Sequence, residues 1–135
     1  MKVFLDANIL FSASQSHSRL RAFLDVLFDK ADYLTNDYAI EEARRNLAAK
    51  FPDGVKALER LVKKCEIVSK LATELEVELP LKDEPILRGA IAGDATHLLT
   101  GDERDFGKFW GKTIQGVKIV SPKMLAQELK LDQMR

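Results

Sequence analysis

The stretch Lys2–Leu10, KVFLDANIL, decides the fold class. Lys2–Leu5 is too short for a helix and too apolar for a solvated loop, so it predicts a buried strand. The run ends on Asp6, with Asn8 two residues further. A second stretch, His97–Phe106 (HLLTGDERDF), repeats the arrangement: a short apolar run, then Thr100, Gly101 and Asp102. A carboxylate therefore stands where each of two buried strands leaves the core.

Helical and strand patterns alternate between these stretches. In RLRAFLDVLF, Leu20, Phe23, Leu24, Leu27 and Phe28 recur at helical spacing and predict a helix with one core face over 19–28. DYLT predicts a strand, and Asp37 offers an N-cap for a helix to Lys50, where Ile40, Ala43, Leu47 and Phe51 define a core face and Pro52 ends it. A helix over 54–63 and a strand at EIVS follow, while LATELEVELPLKD fits neither period cleanly. Asp83-Glu84-Pro85 opens a helix running to Gly93, VKIV is a further strand, and Pro122 starts a last helix. This order predicts an α/β chain: a single domain over residues 1–135, built as a three-layer α/β/α sandwich with a mostly parallel central sheet.

Composition narrows the functional classes. The chain has 135 residues, 46% hydrophobic and 31% charged, which suits a globular protein. No apolar run approaches a membrane span, and no secretory pattern opens the sequence, so a cytoplasmic location without membrane association is expected. Cys65 is the sole cysteine, which excludes an internal disulfide and a thiolate zinc site. His17 and His97 are the only histidines; the first lies in a polar loop, the second inside a strand, and neither is expected to bind metal. Lys and Arg total 21, as do Asp and Glu, so no large positive field holds nucleic acid.

In a mostly parallel sheet, strand C-termini share one edge, and ligand crevices form there. Asp6 and Asp102 both reach that edge, Asp83 starts a helix, and Glu41 and Glu42 lie in the first turns of another. Singly, Asp6 and Asn8 are ordinary turn residues, Asp83 and Asp102 ordinary helix caps, and Asp105 a solvated surface charge. Together, clustered carboxylates repel unless something positive sits among them. An all-oxygen donor set suits one or two Mg²⁺ or Mn²⁺ ions, which promote phosphodiester hydrolysis.

Taken in order, these motifs resemble the PIN-domain family, with the resemblance covering about Lys2 to Leu129. VFLDANILFSA resembles its opening Asp-x-Asn strand, LTNDYAIEEARRNL its helical-glutamate segment, DEPILRGAI its third acidic motif, HLLTGDERDF its Thr-x-Asp motif, and GVKIVSP its closing strand and helix. The resemblance implies a metal-binding and catalytic quartet of Asp6, Glu42, Asp83 and Asp102, with Asp105 an additional acid and Asn8 and Thr100 supporting the acids or substrate. Glu42 is preferred to Glu41 because the small residue Ala43 follows it, as in the family pattern. Two positions depart from that pattern: Asn36 stands where Ser or Thr is usual, with Thr35 beside it, and Thr96 stands where Asp often precedes the strand.

The implied activity is divalent-metal-dependent RNA hydrolysis, as the toxin of a toxin–antitoxin pair with a small antitoxin partner, and the family commonly forms homodimers. Arg44, Arg45, Arg104, Lys108 and Lys112 are candidate phosphate contacts; Trp110 is a candidate base-stacking residue, and Phe109 is expected in the core. Competing classes are a metal nuclease acting on DNA or branched structures and a catalytically weak RNA-binding scaffold. A nucleotide-binding Rossmann domain is disfavoured, because DANILFSA follows the first strand instead of a glycine-rich loop.

Overall fold

The structure, a computed structural model, describes residues 1–130, so the last five residues of the expected domain lie outside the described residues. In chain order the elements are β1 (Lys2–Leu5), α1 (Ala7–Ala13), α2 (Arg19–Leu27), β2 (Asp32–Thr35), α3 (Asp37–Lys50), α4 (Val55–Val62), β3 (Cys65–Ile67), α5 (Glu84–Ala92), β4 (His97–Leu99), α6 (Glu103–Phe106), β5 (Thr113–Ile114), β6 (Val117–Val120) and α7 (Pro122–Glu128). Short 3-10 turns cover Pro52–Gly54 and Gly107–Phe109.

One sheet orders its strands β3-β2-β1-β4-β6-β5, parallel except for the β5–β6 pair. The expected mostly parallel α/β architecture is therefore present. Central strands covered on both faces explain why KVFL and HLL are continuous apolar runs rather than alternating ones. Val3, Phe4, Leu5, Leu98 and Leu99 are all fully buried. Among the helices, α1 packs on α2, α3 and α4, while α5 packs on β2 and β4. Connections leave β1 towards β2 and leave β4 towards β6, so the order reverses between β1 and β4. A crevice at the C-terminal ends of such strands is the usual ligand site of an open parallel sheet.

Several local expectations change. The segment after Asp6 is a helix rather than a turn, because Asp6 caps it and Ala7, Leu10 and Ala13 bury one side. The cap of α3 is Asn36, whose Oδ1 accepts from the Ala39 N–H at 3.1 Å, and not Asp37. Ile40, Ala43 and Leu47 do enter the core, but Phe51 is 48% exposed. Its backbone has left the helix (φ −143°, ψ 67°), so the helical wheel no longer applies, and its ring instead lies 5.9 Å from Phe11.

The acidic stretch after β3 is an extended strap with no regular element. Leu75, Val77 and Leu79 are half-buried while Glu74, Glu76 and Glu78 face solvent. Arg88 on α5 fastens one end, donating to the Ala72 and Thr73 carbonyls at 2.9 and 2.8 Å. Gln115 clasps the middle, accepting from the Glu76 N–H and donating to the Glu74 carbonyl. It sits at φ 50° beside Gly116 at φ 89°, in the two-residue turn of an unforeseen β5–β6 hairpin, the left-handed pair such hairpins require. At the N-terminal end of β4, buried His97 lies 2.7 Å from Glu128 Oε2, and Lys118 donates to Glu128 Oε1 at 2.7 Å, tying α7 to the sheet.

Asn36 also donates from Nδ2 to the Pro85 carbonyl at 3.1 Å, joining the start of α3 to the start of α5. That approach needs Gly89: a Cβ there would collide with Asn36 Nδ2 and lie 3.3 Å from Phe4 Cζ. Gly89→Ala is expected to lower the unfolding free energy by about 1–3 kcal/mol despite alanine's better helix propensity. Urea denaturation checks this, and the same substitution should cost less when Asn36 is already alanine.

Candidate metal and catalytic site

Asp6 follows β1 and is 3% exposed. Its N–H donates to the Leu99 carbonyl at 3.1 Å, continuing the β1–β4 pairing by one residue. Its Oδ1 accepts from the Ala7 N–H at 2.6 Å, and its Oδ2 accepts from Thr100 Oγ1 at 2.7 Å and Asn8 Nδ2 at 3.1 Å. Asn8 also accepts from the Gly101 N–H at 2.7 Å, and Thr100 Oγ1 accepts from the Asp102 N–H at 3.1 Å. Asn8 and Thr100 thus knit the two strand ends together and set the direction in which the chain enters Asp102.

Asp102 caps α6, its Oδ1 accepting from the Asp105 N–H at 3.0 Å. This short helix brings Asp105 back towards the site, with a side chain only 14% exposed, so Asp105 is not the solvated surface charge that the sequence suggested. Asp83 occupies the cap position of α5 but makes no cap hydrogen bond. It is 7% exposed, and its Oδ2 is buried without a hydrogen-bond partner.

Asp83, Asp102 and Asp105 each bring a carboxylate oxygen within 4.8 Å of the others. Asp6 and Glu42 stand outside that group. Asp6 adjoins it electrostatically, since its charge raises the pKa of Asp83, and Glu42, exposed on α3, in turn raises that of Asp6. Glu41 points elsewhere, lying 3.5 Å from Arg44 and 4.0 Å from Arg45. Thr35 does not replace a hydroxyl there: it is fully buried, and its Oγ1 donates to the Leu5 carbonyl at 3.0 Å. Thr96 exchanges hydrogen bonds with the Lys2 backbone at the opposite end of β1.

Lys82 was not foreseen. Its Nζ lies 3.5 Å from Asp105 Oδ2. Its pKa is held above the ordinary lysine range, chiefly by Asp83 and Asp105 and less by Asp102. The adjacency of Lys82 to Asp83 was visible in the sequence, but its reach to Asp105 depends on the fold. Arg104, Lys108 and Lys112 occupy the same end of the chain, with Arg104 and Lys112 exposed and Lys108 5.1 Å from the Phe109 ring. Phe109 and Trp110 are both half-buried against the core.

Burial pushes the Asp6 carboxyl from 3.8 up to about 6, against the hydrogen bonds from Thr100, Ala7 and Asn8. Burial likewise raises Asp83 to about 7, reinforced by the close approach of the Asp105 carboxyl and by its charge. The same approach draws Asp105 below the usual carboxylate range. Such a donor set, all oxygen, crowded, and including one buried oxygen with no partner, fits a hard divalent cation.

No family model matches the chain, and no curated protein matches its sequence. Solved structures do share its fold. The chain is similar to one in VapBC2 from Rickettsia felis bound to a promoter DNA fragment (TM-score 0.64, 20% identity, covering 90% of this chain and 98% of that one). It is also similar to a chain of FitAB bound to an IR36 DNA fragment (0.58, 16%, covering 89% and 94%) and to one of FitAcB from Neisseria gonorrhoeae (0.57, 16%, covering 90% and 98%).

Asp6 and Asp83 bind protons more tightly in the folded chain than in the unfolded one. Folding therefore takes up protons between about pH 4 and pH 7, and stability falls as pH rises through that window. The shift at Asp6 alone corresponds to a loss on the order of 3 kcal/mol by pH 8. Metal-free protein is expected to melt at a lower temperature at pH 8 than at pH 5, and Asp83→Asn should flatten the profile. Calorimetric melting across that range checks both.

Proposed function

We propose that this chain is a PIN-type, divalent-metal-dependent endoribonuclease, and that it acts as the toxin of a toxin–antitoxin pair. The observation that carries the reading is the convergence of Asp83, Asp102 and Asp105 at the sheet's switch point, with the buried Asp83 Oδ2 unpartnered. The likeness of the fold to chains of the VapBC2 and FitAB structures supports the toxin assignment and an antitoxin as partner.

Asp83, Asp102 and Asp105 would hold Mg²⁺ or Mn²⁺, with the Asp6 charge felt at Asp83 and the Glu42 charge felt at Asp6. When bound, the ion supplies positive charge for a phosphodiester and the Lewis acidity its hydrolysis needs. Every other task falls to the chain's own groups. Asn8 and Thr100 hold Asp6 by two hydrogen bonds to one oxygen, so its carboxylate keeps its direction when the substrate's charge arrives. Burial makes Asp83 hold its proton to higher pH than an ordinary carboxyl in the metal-free site, and that proton must leave for its buried oxygen to act as a donor. Arg104 on α6 is exposed beside the acids, where it can meet an incoming phosphate. The net charge of zero then presents no obstacle, since the attraction for RNA is local.

Asp6→Asn is expected to fold normally and to reduce Mn²⁺-dependent cleavage of an RNA oligonucleotide at least ~100-fold. Asp102→Asn should weaken Mn²⁺ binding in calorimetry by about 10-fold or more. Wild-type cleavage by folded, Mn²⁺-loaded Asp6→Asn would refute the scheme. RNA binding without any metal-dependent cutting would point to a scaffold, and preferential cleavage of DNA to a related nuclease.

A further inference from the structure

The acids of the site have one ion-pair partner among the described residues. Of Asp6, Glu42, Asp83, Asp102 and Asp105, only Asp105 is paired, and its partner is Lys82 at 3.5 Å. Lys82 is held at the rim by a turn in which the Asp83 and Glu84 N–H groups both donate to the Pro80 carbonyl. Arg88 secures the strap on one side of that turn and donates to Glu84 in an ion pair at 2.9 Å on the other. The lysine backbone is thus anchored at both ends, while its side chain stays 67% exposed. Asp105 contributes one of the three convergent oxygens, so an ammonium paired with it occupies part of the charge environment that a divalent cation would need.

We propose that Lys82 is a resident counter-cation of the acidic site, paired with Asp105 when the site lacks metal and displaced from it when a divalent cation binds. This rests on the metal-site reading above. Two carboxylates and a partner charge at this spacing interact strongly enough for one positive group to alter the affinity for another. The pairing would keep the cluster intact without metal and lower its affinity for metal, so that occupancy is set by competition between the two cations. Lys82 is on this account a residue that sets metal occupancy, and it takes no part in the chemistry itself.

The test is Mn²⁺ titration by calorimetry at low ionic strength on the full chain, comparing wild type with Lys82→Met, Lys82→Arg and Arg104→Gln. Lys82→Met should tighten binding about 3- to 10-fold, whereas Lys82→Arg should stay within about twofold of wild type. Arg104→Gln removes an equal charge from α6 and should change affinity less than about twofold, because Arg104 is not paired with the cluster. In wild type, the Lys82 Nζ resonance should move on saturation with diamagnetic Mg²⁺. Unchanged affinity in Lys82→Met, equal tightening in Lys82→Met and Arg104→Gln, or an unmoved resonance would each overturn the proposal. If wild type binds Mn²⁺ and Lys82→Met binds it no better, the metal site stands and the role of Lys82 falls. If only Lys82→Met binds, the proposal is supported; if neither binds, both readings fall.

Discussion

The parallel pairing of β1 with β4 is the constraint on which the rest depends. These strands meet where the sheet's connections diverge, so the groups that leave their C-terminal ends come together at one edge of the sheet. The Asp6 N–H extends the ladder to the Leu99 carbonyl, and the Asp6 carboxylate then receives the Thr100 hydroxyl and the Asn8 amide. One residue therefore continues the sheet, caps α1 and anchors the site. A carboxylate 3% exposed would be costly without these donors, and even with them its pKa remains raised.

Three of the acids stand at helix starts, yet they use that position differently. Asp6 and Asp102 cap their helices, whereas Asp83 leaves its helix uncapped and holds a buried oxygen without a partner. Natural structures rarely leave such a group unpaired, because desolvation without a hydrogen bond costs about 1–3 kcal/mol. The strap that delivers Asp83 is correspondingly well fastened, by Arg88, Gln115 and the half-buried Leu75, Val77 and Leu79. Asn36 ties the opposite wall to it through Pro85, and Gly89 makes room for that contact. The scaffold is thus well fastened where the acids enter, while Lys82, the cation paired with them among the described residues, is exposed.

The sequence by itself determined every strand but β5, most helices, the mostly parallel α/β class and the placing of two aspartates at strand ends. Those features follow from local rules: apolar run length, helical spacing, and Pro or Asp at helix starts. It also marked Asn8, Thr100, Asp83 and Asp102 through ordered motifs. The tertiary structure alone decided that Asp105 stands with Asp83 and Asp102, that Lys82 pairs with it, and that Asn36 bridges two helices. It also decided that Phe51 leaves the core and that an irregular, acidic strap carries Asp83. The reason is physical: periodicity reports which face of one element is buried, but a distance between side chains on separate elements depends on strand order, crossover hand and helix termini together. Asp105 and a solvated surface charge look the same in one dimension, and only a four-residue helix turning back from β4 separates them.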